Sequence, residues 1–107
     1  MKRLPLKHSY HDALIQQVRY QNGEDVILVV DLCGTRNPSA GTATLHFLGV
    51  RNFREVRDQL EATRQTSLDR PAIDEIIGLG RSDDRGFLLD LAAAGEVAID
   101  SRGIMES

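Results

Sequence analysis

The sequence predicts an α+β fold, mostly an antiparallel sheet of about five or six strands in the order βββαβββ, with one helix packed on one face. Three observations lead there. Apolar residues recur at period two through most of the chain, one segment alone changes to helical spacing, and the polar connections between segments are short. Short connections make sequential strands antiparallel neighbours. A helix with one apolar stripe must lie on the sheet to bury it.

The first strand is expected from Ala13 to Tyr20, with Leu14, Val18 and Tyr20 on one side and Gln17 and Arg19 opposite. In the polar connection that follows, the Asn22-Gly23 pair supplies the positive φ that a tight hairpin turn demands. Val26 to Cys33 carries the strongest strand signal. β-branched residues dominate it and both faces are apolar, Val26, Leu28, Val30 and Leu32 on one, Ile27 and Val29 on the other, which marks it as the central strand. Gly34 to Gly41, with Asn37, Pro38 and Ser39, reads as a loop. Period two returns from Thr42 to Val50, a third strand with Ala43, Leu45 and Phe47 on one face and Thr44, His46 and Leu48 on the other.

Asn52 stands three residues before Glu55, the spacing of a capping box, so a helix is expected to begin there and run to about Gln65. Phe53, Val56 and Leu60 form its narrow apolar stripe, while Arg54 with Asp58 and Arg57 with Glu61 stand four apart on exposed faces. Pro71 disfavours helical backbone at Arg70 and closes the polar stretch from Thr66. Ile73 to Leu79 fits a strand, closed by Gly78 and Gly80, and Arg81 to Gly86 a charged turn. Phe87, Leu89 and Leu91 then alternate with Leu88 and Asp90 in another strand. Ala94, Gly95 and Glu96 turn the chain, and Val97, Ile99 and Ile104 bring a last strand back.

At 107 residues and 41% hydrophobic the chain, 1–107, has the size of one domain with one core. No Trp is present and five Phe and Tyr residues carry all the aromatic area, which argues against a stacking platform for single-stranded nucleic acid. Thirteen basic against sixteen acidic residues, with neither sign in a block, also disfavours the counterion-releasing grip that nucleic acid needs. Cys33 is the one cysteine, so no internal disulfide can form, and a reduced, cytoplasmic setting is expected. No apolar run approaches the ~20 residues of a membrane span, and Lys2 and Arg3 are not followed by the apolar stretch of a signal peptide.

The most conspicuous cluster is His8, His11 and Asp12, which offers two imidazoles and a carboxylate to a divalent metal. On extended backbone His8 and His11 point to opposite faces; only a turn or helix brings them together. The structural reading is that His11 or Asp12 anchors the start of the first strand through nearby backbone while His8 is solvated. Cys33, Ser9 and Ser39 are the candidate nucleophiles, but no Gly-x-Ser-x-Gly elbow is present, and Cys33 reads as packed. Asp83 and Asp84, flanked by Arg81 and Arg85, read as a solvated turn, and Gly78-Leu79-Gly80 lacks the lysine and helix of a phosphate loop.

His11 and Asp12 before the first strand, the string Leu45, Phe47, Gly49, Val50 closing the third, and the terminal hairpin with Ile99 and Arg102 together resemble small bacterial proteins of uncharacterised families, some grouped with the immunity proteins of polymorphic toxin systems. That resemblance implies a non-catalytic protein that blocks a toxin's active site or its substrate path. The expectation is therefore a protein-binding module without a cofactor, with a protein partner and neither nucleic acid nor membrane. The alternative is a metal-assisted enzyme using His8, His11 and Asp12. A third reading is a homodimer formed by pairing exposed strand edges.

Overall fold

In the computed structural model, which describes residues 6, 8–34, 41–66, 73–82 and 86–107, the period-two segments form seven strands and the helical segment one helix. In chain order these are β1 (Leu14–Gln21), β2 (Asp25–Asp31), β3 (Thr42–Leu48), α1 (Phe53–Thr66), β4 (Asp74–Arg81), β5 (Phe87–Leu91), β6 (Gly95–Ile99) and β7 (Gly103–Glu106). All pairings are antiparallel, in the order β6-β5-β4-β1-β2-β3-β7. The expected α+β class and antiparallel sheet are found, with two corrections. The terminal segment expected as one strand from Val97 to Ile104 is two, so the order is βββαββββ. The strand expected to be central, β2, lies fifth, and β1 holds the middle place.

Each correction has a physical cause. Between β6 and β7 the buried Ser101 hydroxyl lies 2.6 Å from the Leu48 carbonyl oxygen and Arg102 N donates to the same oxygen at 2.9 Å, so the chain leaves β5 and docks on the end of β3. β1 is central because it joins two three-strand meanders, β1-β2-β3 and β4-β5-β6. It pairs with β4 at Leu14↔Glu75 and Ile15↔Asp74, backed by the Ile73 N to Ile15 O and Ile76 N to Ala13 O bonds. The apolar outer face that made β2 look central therefore does not come from sheet position.

The sheet curls. A flat sheet of seven strands would hold its edges about 29 Å apart at the usual inter-strand spacing, yet β6 and β7 are joined by residues 100–102 alone, a reach of about 15 Å. The two ends of the sheet thus approach each other, and the rings of Phe47 on β3 and Phe87 on β5 meet edge to face across the interior, centroids 5.7 Å apart. Register shifts at Ile15/Gln17 in β1 and at Ile76/Gly78 in β4 place a bulge in each strand of the central pair, where an extra residue bends the ladder. The turn into β2 has Asn22 at φ 55° and Gly23 at φ 68°, the positive pair that the Asn-Gly dipeptide predicts.

Inside the curl, Ile15, Val18, Val26, Leu28, Val30, Ala43, Leu45, Phe47, Ile76, Leu89, Val97 and Ile99 form one core, closed by Val56 and Leu60 of α1. The helix starts at the residue after Asn52, as expected, but the Asn52 side chain does not make the capping box with Glu55. Its Nδ2 donates to Ala98 O at 2.7 Å and its Oδ1 accepts from Asp100 N at 2.9 Å, while Gln59 Nε2 reaches Glu96 O at 3.3 Å. The helix therefore runs along β6 and satisfies backbone groups that an edge strand would otherwise expose. Tyr20 meets Phe53 edge to face at 5.6 Å where the helix begins. On its exposed side Arg57 pairs with its neighbour Asp58 at 3.2 Å. Most of the loop from Gly34 to Gly41, including Ser39, the stretch 67–72 and the acidic pair Asp83 and Asp84 lie outside the described residues.

Candidate functional site

The outer face of β1, β2, β3 and β7 carries the unusual surface. In β2 the buried residues are Val26, Leu28 and Val30, and in β3 Ala43, Leu45 and Phe47, so Ile27, Val29, Thr44 and His46 point outward. Register places Arg19, Ile27, His46 and Met105 opposite one another in a row across the four strands, with Gln17, Val29 and Thr44 in the row beside it. An antiparallel sheet covered on one side normally turns polar residues outward. Here Ile27 and Val29 are half-buried among their neighbours, and Met105, at 53% exposure, is the most open large apolar residue described.

A charged cluster is set into this face. His46 Nε2 lies 2.8 Å from Asp25 Oδ2, and Asp25 Oδ1 accepts the Gly49 N–H at 2.9 Å. The Gly49 amide first, then His46, hold the Asp25 carboxyl below its ordinary range, and the Arg102 charge acts in the same direction. An ionised Asp25 can only accept, so in the neutral imidazole Nε2 carries the proton and Nδ1 is left as the acceptor. Nδ1 makes no hydrogen bond to a described residue. Gly49 is needed for its φ of 56°, and with no Cβ it leaves room for the Arg102 guanidinium to lie against it.

The cluster singled out in the sequence is placed differently. His11 Nδ1 is hydrogen-bonded to the Ile77 carbonyl and Asp12 N donates to Ile76 O at 2.8 Å, which ties the entry of β1 to β4. His11 Nε2 sits 3.6 Å from Asp12 Oδ1, and Asp12 takes a φ of 67°. His8 goes to the other side, its backbone N donating at 3.1 Å to the Glu106 carboxylate that also receives the Tyr10 hydroxyl at 2.6 Å. Burial and that carboxylate both raise the Tyr10 hydroxyl above its ordinary range. Among the described residues no group of three or more His, Cys, Asp or Glu is arranged to hold a metal ion. Cys33 is half-buried just beyond β2, and Ser9 is exposed.

No sequence motif singles out Asp25 or Met105, and Ile27 and Val29 form in the sequence the second apolar face of an expected central strand. The signal was there: a hairpin turn at Asn22-Gly23 and period two place Asp25 and Ile27 on one face, and the pairing of β2 with β3 adds His46. No family model matches the chain, and no curated protein or solved structure resembles it.

Proposed function

We propose that the protein acts by binding another protein through the outer face of β1, β2, β3 and β7, and that its partner is a toxin it neutralises. The observation that supports binding is the apolar outer face of β2. Ile27 and Val29 form an apolar pair on this face with polar residues around them, and the open Met105 lies on the same face two strands away, beyond His46 and Thr44 of β3, apolar surface set in a polar rim. Methionine suits such a surface because its unbranched chain adapts to the partner. The toxin reading rests on the resemblance alone, and the residues that carry it have structural places. Leu45, Phe47, Val50 and Ile99 are core, and Gly49 and Arg102 shape the end of β3.

The test is calorimetric titration of the purified protein with the product of the gene adjacent to its own, beside the variants Ile27→Lys and Val29→Lys. A buried charge at an interface centre costs on the order of 2 kcal/mol or more, about thirtyfold in Kd. The expected result is that loss with unchanged melting temperatures. Equal affinity in both variants removes this face from the interface, and absence of binding removes the toxin reading.

A further inference from the structure

The row that crosses the outer face brings together two donor atoms, a His46 ring nitrogen and the sulfur of Met105, which also lies on the proposed interface. His46 and Met105 are direct partners in the β3–β7 ladder. Thr44 and Ser107 exchange both of their backbone bonds, at 2.8 and 3.0 Å, so by the alternation of an antiparallel ladder His46 and Met105 are a hydrogen-bonded pair as well. Their side chains leave the same face with Cβ atoms about 5 Å apart. Met105 is open to solvent and its three rotatable bonds let the thioether reach toward the edge of the neighbouring ring.

We propose that His46 Nδ1 and the Met105 thioether form a binding site for a soft monovalent cation, copper(I), with Asp25 as the positioning residue. The donor set selects the ion: a thioether is a poor ligand for hard cations and favours copper(I), and an imidazole nitrogen accepts the same metal. Asp25 does for His46 what carboxylates do for metal-bound histidines generally, accepting the N–H of the far ring nitrogen, which fixes the tautomer and makes the bare nitrogen a better donor. The carboxylate is itself held by the Gly49 amide, so ring and carboxylate are oriented before any ion arrives. The Asp25 carboxylate and the Arg102 guanidinium carry opposite charges near the ring, so the choice of ion rests on the donor atoms.

Silver(I), the redox-inert counterpart of copper(I), is the probe, and Cys33→Ser is the parent because a thiol would compete for it. Met105 is one of two methionines, so its methyl signal can be followed together with the His46 ring protons by NMR. Both signals are expected to shift together and to saturate near one equivalent. Met105→Leu, an exposed and nearly isosteric change, should leave the melting temperature unchanged and weaken silver binding at least tenfold, and Asp25→Asn should weaken it about ten- to a hundredfold. Stationary His46 and Met105 signals, or a Met105→Leu variant that binds silver as tightly as its parent, would overturn the proposal.

Discussion

At the scale of single residues, two aspartates with the same chemistry serve different ends. Asp74 is buried, and its carboxylate accepts Glu75 N at 2.8 Å, Ala93 N at 2.9 Å and Ala94 N at 3.1 Å, which pins the β5–β6 turn to the start of β4. Asp74→Ala leaves those amides without their acceptor. We expect a loss of about 3 kcal/mol in urea unfolding, and little recovery in Asp74→Asn, whose NH₂ must face one of the donors. Asp25 contributes through its lowered carboxyl pKa. Its share of the stability is whole above the ordinary value of 3.8 and is lost as the pH falls below it, because the unfolded chain then takes up a proton that the folded one still refuses. In Asp25→Asn this part of the acid-side decline in the urea midpoint should be absent. Neither role could be read from the sequence, where both residues are polar neighbours of a strand end. What decides them is which backbone amides the fold brings within hydrogen-bonding distance.

At the scale of elements, strands and helix were legible because each carries its own period. Val26, Leu28 and Val30, or Ala43, Leu45 and Phe47, alternate so regularly that one face had to be interior, and all six are buried. The start of the helix was legible as well, although the capping box that marked it is not formed. Asn52 was read through its local spacing to Glu55, whereas its amide is engaged across the fold by Ala98 and Asp100. Local motifs are visible in a sequence, and a competing partner 46 residues away is not. Serine separates the two roles, being a good N-cap that cannot span both backbone groups. Asn52→Ser should therefore cost about 1–2 kcal/mol even though serine is a favoured N-cap residue, with faster hydrogen exchange at the Asp100 amide.

At the scale of the whole molecule, the class was legible and the closure was not. Strand patterns say which face is buried without saying how far a sheet bends, and the bend here comes from two bulges and from the break at 100–102. The candidate site has the same history. Ile27 and Val29 looked like the second covered face of a central strand, and became a surface only when β2 was placed on the outside of a curled sheet. Asp25 and His46 are 21 residues apart and meet through strand register. His11 and Asp12, adjacent in sequence, went to the anchoring of β1 instead.

The short link between β6 and β7 also bears on how fast the chain reaches its native form. The Ser101 hydroxyl meets the Leu48 carbonyl across 53 residues, and Tyr10 meets Glu106 across 96, so the seam closes only after very long loops have been drawn in. Hairpins such as β1–β2 need no such search. A topology this rich in distant pairings belongs with domains that refold in milliseconds to seconds. The seam should be unformed at the rate-limiting barrier, so Ser101→Ala is expected to speed unfolding and leave the refolding limb of the chevron in place. A matching slowdown of refolding would mean that the ends of the sheet find each other first.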